Sequence, residues 1–184
     1  MRINFDTARD VLLAFPTVAD DVETAPDGRE PLAFTRDLIA SDTPEDCLSF
    51  FAYLAPRRDA VWWCCRCLEA LGQRDEGGAV QAAMDWVRAP EEEQRLRALE
   101  RAEAGSSSEA STWAAFGAAW SGGNISQGDA PPVLASPHLT AKAVRAAVLI
   151  AVARAPFAER RARLERCLDE AMNVANDDAD KHFG

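Results

Sequence analysis

The sequence predicts an all-α fold: a single-domain bundle of about seven to nine helices in antiparallel pairs, with solenoid-like stacking left open. Three observations predict it. Alanine is abundant and β-branched residues are scarce, and alanine is the strongest helix former. Apolar residues recur at helical spacing along most of the chain. Each periodic run ends at Ala-Pro or Gly, residues that cannot continue a helix. The chain has 184 residues, 48% of them apolar and 27% charged, enough for one domain with its own core.

Residues 1–24 predict a short helix over Asp6 to Ala14, broken at Pro16, and then an exposed turn at Thr24-Ala-Pro-Asp-Gly28. A further short helix follows over Leu32 to Ala40. Thr43-Pro-Glu-Asp46 is a helix start, with a capping hydroxyl, proline at the first helical position and acids to complement the dipole. That helix runs from Cys47 to Leu54, and Ala55-Pro56 ends it.

In the next helix Val61, Cys64, Cys65, Leu68 and Leu71 share a core face. Arg58, Trp62, Arg66, Glu69 and Gln73 line the opposite one, so Trp62 sits in a polar stripe. Ala79 to Arg88 follows, with Val80, Met84 and Val87 inward. Glu91 to Ala104 reads as a surface helix carrying Glu91–Arg95 and Glu93–Arg97 pairs.

Trp113-Ala-Ala-Phe-Gly-Ala-Ala-Trp-Ser-Gly-Gly-Asn124 reads as the central packing helix. Trp113, Phe116 and Trp120 share one face, and the remaining positions are small enough for other helices to approach closely. Gly122-Gly123 stops it, and residues 122–137 form a long loop, of the kind that carries function. Leu139 to Arg154 is a helix whose second half should be buried all round. A last helix buries Phe157, Leu164, Leu168, Ala171 and Ala175. The domain therefore spans 1–176, with a polar, frayed tail at 177–184.

Three junctions look alike: Tyr53-Leu-Ala-Pro56, Trp86-Val-Arg-Ala-Pro90 and Val152-Ala-Arg-Ala-Pro156. Their prolines lie 34 and then 66 residues apart. That spacing suits stacked hairpins, yet the flanking residues do not repeat.

The chemistry is mostly exclusions. A net charge of −10 disfavours a nucleic-acid or anionic-membrane partner. No run is long enough to span a bilayer and no signal peptide is expected, which places the protein in the cytoplasm. The five cysteines do not form a disulfide framework; Cys64 and Cys67 are read as small hydrophobes, with a redox-sensing pair as the rival. Two histidines, His138 and His182, leave few ways to build a triad or a zinc site. No catalytic residue, cofactor or metal is expected.

What remains is binding. Arg160, Arg163 and Arg166 lie early in the last helix, where the dipole disfavours cations, so they are candidates for a docking face or for pairing with the chain's own acids. Trp62 with Arg58 and Arg66 is the second candidate surface, since Trp and Arg anchor interfaces. Asn124 and the loop after it are the third. The favoured function is a non-enzymatic accessory or adaptor that binds another protein. The alternative is a small-molecule enzyme or sensor with a pocket under the 122–137 loop, lined by Trp113, Trp120 and His138.

Val61-Trp-Trp-Cys64, Ala83-Met-Asp-Trp-Val87 and the 113–123 stretch together resemble an uncharacterised all-helical family of bacterial, proteobacterial proteins, associated with type VI secretion gene clusters. The resemblance covers nearly the whole chain. It implies a cytosolic accessory or adaptor role and carries over no catalytic residues.

Overall fold

The structure is a computed structural model, and it describes residues 1–126, 131–177 and 182–183. Residues 127–130 of the predicted loop, and 178–181 and 184 of the predicted tail, lie outside the described residues.

Among the described residues there are ten helices: α1 Ala8–Ala14, α2 Val18–Asp21, α3 Pro31–Leu38, α4 Asp46–Leu54, α5 Arg57–Ala70, α6 Ala79–Arg88, α7 Glu92–Ala104, α8 Ala110–Ala119, α9 Leu139–Ala153 and α10 Phe157–Asn176. Local chemistry explains several ends. Thr7 and Asp10 form a capping box on α1. Glu30 caps α3 ahead of Pro31. Asp75 caps α6, accepting from Val80 N–H and Gln81 N–H. The α4 start falls later than Thr43 suggests, because the Thr43 hydroxyl donates to the Asp46 side chain rather than capping the backbone.

The expected antiparallel pairing is visible in the contacts that join helix ends. Arg58 at the start of α5 reaches Val87 and Arg88 at the end of α6. Arg95 early in α7 reaches Ala119 at the end of α8. Between α5 and α10, Arg66 meets Glu170 and Ala70 meets Arg166, a reversed order along the two helices. Solenoid-like stacking is not what forms. In a solenoid each unit touches only its neighbours, whereas α10 returns to pack on α4 and α5, and α9 packs on both as well.

α8 sits inside this assembly, against α5, α6, α7 and α9. Its alanines and Gly117 face inward, and Ala114, Ala115, Ala118 and Ala119 have no exposure. The aromatic face lies on the other side. Trp113, Phe116 and Trp120 are half-buried, with ring centroids 5.7 Å apart for the first pair and 4.5 Å apart, nearly parallel, for the second. The central helix therefore packs through its small residues, and its large ones form a ladder at the surface.

Three further expectations are corrected. Phe157 is 86% exposed, because α10 begins there, before its helix turns onto the core. The second half of α9 is not buried all round: Ala153 and Arg154 are exposed, since α9 ends beside the turn into α10. Arg95 pairs with Glu92, not Glu91, and is 4% exposed rather than on a surface.

Gly117 is the tightest point in the α8 packing. A Cβ there would lie 2.7 Å from Val144 Cγ1 on α9 and 3.5 Å from Val61 Cγ2 on α5. Gly117→Val is expected to destabilise the protein by about 1–3 kcal/mol through overpacking. Val144→Ala in the same chain should recover part of the loss. Urea unfolding of the two single variants and the double variant reads the coupling, and strict additivity would contradict this account.

Candidate functional site

Each arginine singled out by sequence has its partner within the fold. Arg160 donates to Ala155 O and Ala153 O, and Arg163 to Ala151 O, all at the carbonyl end of α9. Arg166 donates to Ala70 O, the last residue of α5. Arg58 donates to Val87 O and Arg88 O, the last turn of α6. The cations near the start of α10 are disfavoured by their own helix, but they lie against the negative end of another. Arg66 forms an ion pair with Glu170 at 2.5 Å and lies over the Trp62 ring, 5.9 Å from its centroid.

Trp62 is 2% exposed, so its ring is not a surface anchor. His182 and Phe183 cover it, with centroids 5.1 and 5.2 Å from the indole. Asn124 acts within its own loop. Its side-chain oxygen accepts from Ser126 N–H, the Ser126 hydroxyl and Val133 N–H, and the residue bridges to Leu134.

Sequence reasoning missed Arg95. Its guanidinium holds Glu92 through two bonds of 2.7 and 2.6 Å, donates to Ala119 O at 2.8 Å and reaches Asn124 O at 3.3 Å. The hydrogen bonds with Glu92 raise its pKa and lower that of Glu92. Gly123, at φ 66°, lies where a side chain would strike that guanidinium. One buried arginine thus closes α8 and ties down the start of the loop. The signal was there in part: a Glu-Arg pair was expected at Arg95, but with Glu91 rather than Glu92, and without the carbonyls beyond it.

A second missed cluster joins α2, α4 and α9. The Asp21 carboxylate accepts from the Tyr53 hydroxyl and from Lys142 Nζ at 3.0 Å, with Arg145 at 3.4 Å. Arg145 also binds the Ser49 hydroxyl. Burial works against the Asp21 charge, but the Tyr53 and Lys142 hydrogen bonds and the two cations outweigh it and hold its pKa below the ordinary value. Burial, and then the bond to Asp21, push the Tyr53 phenol up.

The cysteines are free and buried. Burial pushes Cys47 and Cys65 up to about 12, and Cys64 and Cys67 well above the usual thiol value. A redox sensor needs an accessible thiolate, whereas Cys64 and Cys67 are both fully buried.

Two cavities lie elsewhere among the described residues. A cleft of about 690 Å³ lies among residues 72–79, 101–112 and Arg154. A cavity of about 130 Å³ touches Pro137 and Thr140 and is walled by Phe5, Phe15 and Tyr53. It is smaller than the roughly 300–1,000 Å³ of ligand pockets, and neither cavity is lined by Trp113, Trp120 or His138. No helix among the described residues is long and apolar enough to cross a membrane.

Residues 34–175 match the family model described as Family of unknown function (DUF6931). The chain belongs to this family. No curated protein and no solved structure matches it. The match leaves out α1, α2 and the start of α3, so Asp21 lies outside it while Tyr53, Lys142 and Arg145 lie within. In this DUF6931 member the Asp21 carboxylate is one of the contacts that fasten the first helices to the family region, beside the Thr24 N–H bond to Asp46 and the Phe15–Tyr53 ring contact.

That fastening sets a pH dependence. A carboxylate whose pKa is lowered by folding contributes stability above its unfolded pKa, near 3.9, and loses it as pH falls through the lower folded value. The wild-type melting temperature should therefore drop more steeply below about pH 4 than that of Asp21→Asn, which is less stable at pH 7. Parallel acid-side profiles for the two chains would contradict the assignment.

Proposed function

We propose that this DUF6931 protein is a non-enzymatic accessory or adaptor factor of the bacterial cytosol that binds another protein. The observation that supports it is the α8 ladder. Trp113, Phe116 and Trp120 stack along the half-buried outer face of a helix whose other faces are fully packed. Rigid, partly covered aromatic rings on an immobile element make good interface anchors, because little side-chain entropy is lost when a partner covers them. The Trp113 indole is fixed further by its N–H bond to Ser107 O at 2.8 Å.

Beyond the end of the helix, Val133 and Leu134 are exposed apolar residues; Leu134 is 77% exposed and held in place by the bridge to Asn124. In this reading the partner meets the ladder and residues 133–134, whose backbone is tied to the Asn124 side chain and backbone. Type VI secretion as the setting rests on the family resemblance of the tryptophan-bearing segments.

Affinity purification from the native host tests the reading. The wild-type chain should retain a specific partner, and Val133→Asp/Leu134→Asp, which touches no core residue, should lose at least about tenfold of it. No partner above background, or equal retention by both chains, would sink the proposal.

A further inference from the structure

The residues over Trp62 define a second site, separate from the ladder. A cleft of about 500 Å³ opens between α5 and α6, with Trp62 and Leu68 on one side and Val80 and Met84 on the other. His182 and Phe183 line it as well, over the Trp62 ring. Their rings contact each other at 4.7 Å and both contact Trp62, with Phe183 edge-on at 76°. Arg66, clamped by Glu170, backs the same indole. His182 Nδ1 lies 3.4 Å from the Asp177 carboxylate, at the end of α10.

We propose that the α5/α6 cleft is a docking groove for a peptide segment that presents an aromatic side chain, and that His182-Phe183 is its built-in occupant, displaced when such a segment enters. Three features carry this. The first is the chemistry of the floor: an indole in a polar stripe is covered by two rings of the chain's own C-terminal region, so the occupant already seated shows what the groove accepts. The second is room. The cleft remains open beside the two rings, with Met84, a side chain that adapts to different shapes, on its wall. The third is the fixed backing of Trp62 by Arg66 and Glu170, which leaves the indole in place when its cover departs. An occupant carried by the same chain competes intramolecularly, so a free segment binds weakly until the Phe183 ring is removed.

The probe is a fluorescein-labelled peptide with the sequence of residues 176–184, titrated by anisotropy into full-length chains. Phe183→Ala should bind it saturably, and the wild type at least about tenfold more weakly. A peptide with alanine in place of the phenylalanine should not bind, nor should Phe183→Ala/Met84→Glu. In the wild type, independently of any variant's folding, the Met84 methyl resonance should shift at high peptide concentration. An absent Met84 shift, equal affinity of wild type and Phe183→Ala, or equal binding of the alanine peptide would each overturn the proposal. Val133→Asp/Leu134→Asp should leave this binding unchanged, so a failure here and a failure of the ladder remain distinguishable.

Discussion

The bundle depends on arginines from one helix closing the carbonyl end of another. A helix leaves its last four carbonyls without partners and carries partial negative charge there. The usual remedy is a left-handed glycine, and here it serves α5, where Gly72 has φ 65°. At the Ala-Pro breaks that route is absent, because the proline that follows forces the chain into an extended path. The carbonyls at the ends of α6 and α9 are met instead by Arg58 and by Arg160 and Arg163, and those at the end of α8, which stops before Gly122-Gly123, are met by Arg57 and Arg95 as well. A cation at a helix C-terminus contributes about 0.3–1 kcal/mol at the surface and up to about 2 when partly buried. Each bond also fixes how far one helix slides along the next, so the same contacts that satisfy the ends set the register of the pairs.

That register makes α8 possible. Four helices converge on it, and only alanine and glycine leave room for them. With Val144 already at contact distance from Gly117, no large side chain fits on the inner faces. The three large aromatics must therefore point outward, and they become a ladder because i, i+3 and i+7 share a face. The conspicuous surface of the molecule is a by-product of how tightly its other faces are packed.

Much of this was legible in the sequence, and the limits have a physical reason. Helical periodicity and the Ala-Pro and Gly stops located nearly every helix, because both act over a few residues. Periodicity also separates two faces of a helix, but it does not say which face a neighbour covers. For α8 the small face is the packed one, as its alanines and Gly117 allow, and the rings are left half-buried outside. For Trp62 the polar stripe is covered by residues more than a hundred positions away, a contact no local pattern encodes. The arginines of α10 were read as a broken rule when the reason stood nearby: Arg160 lies five residues beyond Ala155, whose carbonyl it binds across the turn. A cation early in a helix that follows an Ala-Pro break is the readable form of that signal. Arg95 was harder, because Ala119 and Asn124 join it only through the fold.

The allocation of charge bears on how the molecule meets others. The chain carries 30 acids against 20 lysines and arginines, and many of the arginines are spent on carbonyls or, like Arg66 and Arg145, on a partly buried carboxylate and a buried hydroxyl. What is left outward is predominantly acidic. Such a surface steers partners by long-range charge, an effect that salt screens within about 10 Å at 0.1 M. It does not supply the close contact that holds a complex together. Aromatic rings can supply that contact, and the fold treats its two sets differently: the α8 ladder stays half open on a rigid helix, while Trp62 is closed by rings of the chain itself. The difference follows from packing: the inner faces of α8 leave its rings no place but the outside, whereas the Trp62 face is covered by His182 and Phe183.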